Sequence, residues 1–170
     1  MHADRPSLYN GPIQTLKRVS GRLRRLFLGE ETSSRDQQNA HHLLVVDDEE
    51  SICFSMREYF SHNGFIVDTA KDVEEAEKLI STSTYKVIIQ DLRMGTARDD
   101  DGLQIVRIAH ERSPDTRIVI LTAYGTSEVE DEARRSGADA FLRKPQPLSQ
   151  VAQVVRGLIE SPRRWATPHA

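Results

Sequence analysis

Four carboxylates in succession, Asp47-Asp48-Glu49-Glu50, follow directly on the apolar run Leu43-Leu44-Val45-Val46. An apolar strand that ends in adjacent acids sets several negative charges at the lip of a sheet. Charges of one sign held that close repel unless a cation lies between them. The run Val87-Ile88-Ile89-Gln90 ends in the same way, at Asp91. Two further runs end differently. Arg117 to Leu121 leads into Thr122, and Ala140-Phe141-Leu142-Arg143 leads into Lys144. Acid, acid, hydroxyl and amine, each at the carboxyl end of a strand, suit a hard cation and a phosphoryl group.

The pattern from His42 onward says what positions these groups. Short runs rich in Val, Ile, Leu or Phe fall at 43–47, 65–69, 86–91, 117–122 and 139–143. Segments of helical period lie between and after them, near 51–62, 72–80, 102–112, 126–136 and 148–160. Strand alternating with helix predicts an α/β domain with a parallel sheet covered on both faces. Ligands bind such sheets outside the carboxyl ends of the strands. Glu50 or Ser51 and Asp72 are candidate helix caps, and Asp101-Gly102 opens another helix. Asn63-Gly64 and Ser136-Gly137 read as helix stops.

The chain divides into an extension and linker at 1–41, a domain at 42–160 and a tail at 161–170. Residues 1–41 hold seven Lys/Arg against four Asp/Glu, while the remainder is net acidic. Within the extension, residues 13–28 carry Leu16, Val19, Leu23, Leu26 and Phe27 near helical spacing, interleaved with Lys17, Arg18, Arg22, Arg24 and Arg25. Gly21 weakens any helix there by ~1 kcal/mol. Its chemistry admits a solvated arm, a membrane surface, a nucleic acid or a docking protein. Cys53 is the one cysteine, so an internal disulfide is excluded. No apolar run approaches the ~20 residues of a membrane span, and the start lacks the apolar core of a signal peptide. A cytoplasmic location is the expectation.

Residues 42–160 resemble the receiver domain of two-component response regulators. The resemblance rests on Asp47-Asp48, Asp91-Leu92-Arg93-Met94, Asp101-Gly102, Thr122-Ala123, Gly137-Ala138, Phe141 and Lys144-Pro145, in that order. It implies a flavodoxin-like, doubly wound sheet of five strands in the order 2-1-3-4-5. It implies that Asp91 accepts the phosphoryl group. Asp47, Asp48, Asp91 and the backbone carbonyl of Arg93 would bind Mg²⁺. Thr122 and Lys144 would contact phosphoryl oxygens, Phe141 would be the aromatic switch, and Lys144-Pro145 would be cis, at a cost of ~0.5–1 kcal/mol. The implied partners are a sensor histidine kinase or a histidine phosphotransfer protein, a downstream protein target and, for some members, a second copy.

The physical chemistry agrees with those roles. Phosphoryl transfer needs positioning and charge neutralisation more than covalent help. Mg²⁺ takes oxygen ligands and keeps several waters, so two or three carboxylates suffice. Lys144 is a compact point charge. A hydrogen bond from Thr122 to the new phosphoryl group would draw its loop inward and make room for Phe141, a two-state shift driven by one local charge.

The chain departs from the family pattern in places. Gly95 stands where proline is usual, and the loop from Asp91 to Gly102 is longer than usual and carries Asp99-Asp100-Asp101. Arg93 and Tyr124, two residues after Asp91 and Thr122, are bulky. They are expected to hinder the attacking water and prolong the phosphorylated state. No folded domain is expected after residue 160, so output would run through the fourth helix, fifth strand and fifth helix, around Arg134, Arg135, Phe141 and Arg143.

Plainer roles compete for several residues. Asp47-Asp48 alone could be acids favoured by a helix N-terminus, the role given to Glu49 and Glu50. Asp99 to Asp101 read as a solvated loop with a cap, Cys53 as a core residue, and His41-His42 as a surface pair. His62 and His110 end helices. A Mg²⁺-dependent aspartyl phosphatase of the haloacid dehalogenase kind also uses a strand-end Asp, but needs a second Asp where Arg93 stands. A flavin mononucleotide binder would find Asp47 to Glu50 repelling its phosphate. A scaffold that is never phosphorylated would not need the full set of Asp47, Asp48, Asp91, Thr122 and Lys144.

Overall fold

The computed structural model describes residues 40–94 and 101–162. The basic segment 13–28, the linker, the tail from residue 163, Gly95, Asp99 and Asp100 lie outside them. The elements alternate without exception: β1 (His41–Val46), α1 (Glu50–His62), β2 (Phe65–Ala70), α2 (Val73–Thr82), β3 (Val87–Gln90), α3 (Asp101–Arg112), β4 (Arg117–Thr122), α4 (Ser127–Arg135), β5 (Ala140–Arg143) and α5 (Leu148–Glu160). All pairings are parallel, and the sheet order is β2-β1-β3-β4-β5. The expected α/β architecture and strand order are both present.

Period-two alternation sends successive side chains to opposite faces. Leu44, Val46, Ile88, Ile118 and Ile120 pack with Ala76 and Ile80 of α2, Ile105 and Ala109 of α3 and Ala133 of α4. Leu43, Val45, Val87, Ile89, Val119 and Leu121 pack with Met56 and Phe60 of α1 and Val151 and Val155 of α5. Phe60 is fully buried and meets the Phe65 ring edge-on, with centroids 5.4 Å apart. Truncating it to alanine would cost about 3–5 kcal/mol.

Local chemistry sets the boundaries. Asp72 caps α2, accepting the Glu75 N–H at 2.8 Å. Thr126 caps α4 through the Val129 N–H. The expected cap of α1 at Glu50 or Ser51 is not formed: the helix starts one residue earlier, at a Glu49 cap position that makes no side-chain capping bond. The Asp47 carboxylate takes the Glu49 N–H instead, at 3.0 Å. Gly64 and Gly137 adopt φ of 86° and 107°, the left-handed conformation expected of helix stops.

His41 and His42 belong to β1 rather than to a linker edge. His41 is exposed, but His42 is half-buried with its ring 6.4 Å from that of Tyr85. At the amino end of β4, buried Arg117 pairs with Asp139 at 2.9 Å and donates to the Ser161 carbonyl at 2.6 Å. The other Asp139 oxygen accepts the Ile118 N–H.

β1 lies between β2 and β3, so the direction of winding reverses there. The carboxyl ends of β1 and β3 therefore flank the crevice where such sheets bind ligands.

Candidate functional site

Three strand ends meet at that crevice. Asp47 follows β1 and Asp91 follows β3, and the Asp91 N–H donates to the Val46 carbonyl at 2.9 Å, which locks the two ends side by side. Lys144 follows β5, and its N–H donates to the Thr122 carbonyl at 2.8 Å. The Lys144-Pro145 bond is cis.

The lysine ammonium bridges both acids. Lys144 Nζ donates to Asp47 Oδ2 at 2.6 Å and to Asp91 Oδ2 at 2.8 Å. Each acid keeps its other oxygen on a backbone N–H: Glu49 at Asp47, and Arg93 at Asp91, the latter at 3.2 Å. Both carboxylates are buried. Burial is the largest influence on Asp47 and raises its carboxyl above the ordinary value, despite hydrogen bonds from Lys144 and Glu49 that act the other way. Burial acts to lower Lys144 too, but its hydrogen bonds to Asp47 and Asp91 outweigh that and hold it above the usual lysine value.

Asp48 is exposed at the lip. Among the described residues, no three His, Cys, Asp or Glu side chains are gathered into a ready-made metal cage. The structure brings Asp47 and Asp91 to one cation, the Lys144 ammonium. The donor set still fits Mg²⁺. It is made of hard oxygens, and two of its acids already share a positive charge; that ion fills out its octahedron with water.

Thr122 is fully buried, and its hydroxyl oxygen accepts the Tyr124 N–H at 3.2 Å. Phe141 is half-buried and packs against the α2–α3–α4 side of the core. A methyl group on Gly125 would stand 2.9 Å from the Phe141 ring, so the loop after β4 touches that ring only because residue 125 is glycine. Beside this loop lies a cavity of about 660 Å³ lined by Leu92, Leu103, Ala123 and Val129, among others. The Arg93 guanidinium stacks on the Tyr124 ring, 4.3 Å from its centroid.

Sequence reasoning missed two neighbours of the site. Cys53 is buried as expected, but its thiol also donates to the Asp47 carbonyl at 3.2 Å. Burial first, then the Asp47 charge, push that thiol up, away from the reactive thiolate. Gln90, just before Asp91, is fully buried and donates through Nε2 to the Gly102 carbonyl. Only its polarity within an otherwise apolar run hinted at a role.

Comparison with known proteins adds lineage to geometry. The chain is 33% identical over 119 residues to the photosynthetic apparatus regulatory protein RegA of Cereibacter sphaeroides, covering 70% of this chain and 63% of RegA. It spans less than two thirds of the length of that relative and a quarter of the alginate regulator AlgB of Pseudomonas putida. The receiver domain dimer of NtrC4, activated by beryllofluoride, superposes with a TM-score of 0.64 at 34% identity, over 70% of this chain and 96% of that one. The response regulator TrrA of Thermotoga maritima, in complex with Mg²⁺ and BeF, gives 0.60 at 29% identity, over 69% and 98%. The model of the response regulator receiver domain family matches residues 43–156, and with the 2-1-3-4-5 sheet and the strand-end acids this places the chain in that family.

Proposed function

We propose that this domain is a phosphoryl-accepting signalling module whose acceptor is Asp91. One observation carries the reading: Lys144 Nζ lies within hydrogen-bond distance of both Asp47 and Asp91. An ammonium there can follow a phosphoryl oxygen as the group arrives, and the acids beside it can hold a divalent ion. Asp47, Asp48, Asp91 and the Arg93 carbonyl would hold Mg²⁺, which when bound supplies charge neutralisation for the transferring group.

In the transfer, an Asp91 carboxylate oxygen attacks the phosphorus of a phosphohistidine. A P–O bond forms, the P–N bond breaks, and the imidazole leaves and takes up a proton. The donor is a sensor histidine kinase or a histidine phosphotransfer protein. Loss of the group is attack by water on phosphorus, returning the carboxylate and inorganic phosphate. The domain catalyses only these two reactions on itself.

The phosphoryl group gives Thr122 a new acceptor. Its hydroxyl turns toward Asp91, the loop carrying Tyr124 and Gly125 follows, and the Phe141 ring loses its present contact at Gly125. The adjacent cavity gives this loop room to move. The changed surface is that of α4, β5 and α5, around Arg134, Arg135, Phe141 and Arg143, and it regulates a partner protein or a second copy. We place the domain in the cytoplasm; no helix among the described residues is long and apolar enough to cross a membrane. An aspartyl phosphatase is disfavoured because Arg93, stacked on Tyr124, occupies the position its acid/base needs.

Intact mass after incubation with acetyl phosphate and Mg²⁺ tests the reading. Wild type gains one phosphoryl group and Asp91→Asn gains none. Turnover of a small phosphomonoester, or equal labelling of both proteins, would refute it.

A further inference from the structure

Asp91 lies between two residues that both grip Gly102. On one side, the Gln90 side chain donates through Nε2 to the Gly102 carbonyl. On the other, the Leu92 backbone presses on Gly102 so closely that a Cβ there would stand 2.7 Å from Leu92 Cα and 3.0 Å from its carbonyl oxygen. The first turn of α3 is thus fastened at two points to the backbone that carries the acceptor.

The Gln90 side chain is a costly way to make such a contact. It is fully buried, and its Oε1 has no hydrogen-bond partner among the described residues. A buried acceptor without a donor destabilises the fold, whereas an apolar group of similar shape at that site would not. Its one bond does little for the helix, since a carbonyl in the first turn already has the N–H four residues on. Ile88, two residues earlier in β3, and Leu92, two residues later, are both buried in one apolar cluster.

We infer that Gln90 is a positioning residue for the phosphoryl and metal site: its bond to Gly102 fixes the path of residues 90–93, and with it the Asp91 carboxylate and the Arg93 carbonyl. This rests on the function proposed above. The Asp91 carboxylate is held from both directions, by the Arg93 N–H and by Lys144. A small rotation of the backbone at 91–93 would move one donor relative to Asp47, which is anchored separately on β1. Supports of this kind, one bond removed from the ligands, govern how tightly a metal is held.

The test uses the full chain and three proteins: wild type, Gln90→Leu and Gln90→Met. Three quantities are measured: thermal midpoint without metal, the Mg²⁺ dissociation constant by calorimetry, and the rate of acetyl phosphate labelling by intact mass. The expected result is a midpoint no lower than wild type in at least one variant, with Mg²⁺ binding weakened roughly tenfold and labelling slowed in parallel. A purely structural role predicts the opposite split, a lowered midpoint with unchanged Mg²⁺ affinity, and would overturn the inference. Unchanged affinity and labelling in both variants would overturn it as well. If wild type itself binds no Mg²⁺ and takes no label, the functional reading fails, and the role of Gln90 with it.

Discussion

The Lys144 ammonium lies 2.6 Å from Asp47, nearer than to Asp91 at 2.8 Å. The lysine is therefore an internal counter-ion for both buried acids, besides the phosphoryl contact proposed for it. On the proposed function, a divalent ion would compete with this ammonium for the same oxygens. Lys144→Met should lower the thermal midpoint without metal, because it leaves two buried acids uncompensated. The same variant should bind Mg²⁺ more tightly, by about tenfold or 1.4 kcal/mol, and gain more in midpoint from saturating Mg²⁺ than wild type does. Thermal melts across a Mg²⁺ series check both. Weaker Mg²⁺ binding in the variant would show that the lysine assists the metal rather than opposing it.

Asp47 gives a pH signature. Its carboxyl is raised above its ordinary 3.8, chiefly by burial. In the window between the unfolded and folded values, the folded state holds a proton that the unfolded chain has lost. Stability from this group is therefore greatest below the window, falls as pH rises through it, and stays low above. Asp47→Asn removes that loss. Without Mg²⁺ the variant should melt a few degrees above wild type at neutral pH, and the difference should shrink as pH falls through the acid range. Melting curves over pH 3 to 8 read this directly. A constant offset at every pH would show that Asp47 does not titrate as the geometry implies.

The stack of Arg93 on Tyr124 should lengthen the phosphorylated state. A contact of this kind at an exposed site contributes about 0.5–1 kcal/mol, enough to favour the stacked arrangement of the two side chains. Replacing both with alanine should speed loss of the label by roughly tenfold, with each single variant intermediate. The decay of phosphorylated protein by intact mass measures it. A wild-type half-life of seconds would contradict the expected shielding.

At the amino end of β4, Arg117 and Asp139 form a buried ion pair with side-chain exposures of 9% and 7%. Arg117→Met strands a buried carboxylate and should cost about 3–5 kcal/mol in urea unfolding. Adding Asp139→Leu should return part of that, with the remainder reflecting the Ile118 N–H that Asp139 also satisfies. Additive losses in the double variant would mean the two residues act independently.

These two buried clusters also show where sequence reading stopped. Asp91, Thr122 and Lys144 were legible because each ends an apolar run, and a strand end in a parallel sheet has one fate. Asp72, Gly64 and Gly137 were legible because capping and left-handed turns are local chemistry. Arg117 read only as the first residue of a strand; its partner is 22 positions away, and nothing local specifies the pair. Gln90 was passed over in the same way, since its partner Gly102 lies across a loop. The cap of α1 was misplaced because Asp47, already committed to Lys144, also takes the Glu49 N–H. That double use of one carboxylate is tertiary, so neighbouring residue types do not announce it. Asp48, read as the equal of Asp47, differs from it in burial: Asp47 is enclosed and Asp48 is exposed.

The odd and even positions of β1, β3 and β4 supply separate apolar compartments, divided by the backbone of the sheet itself. A partition of that kind makes the molecule modular in the engineer's sense. Libraries built around Met56, Phe60 and Val155 can be varied and screened without redesigning the opposite compartment, where the motion proposed for Thr122 and Phe141 would have to be accommodated.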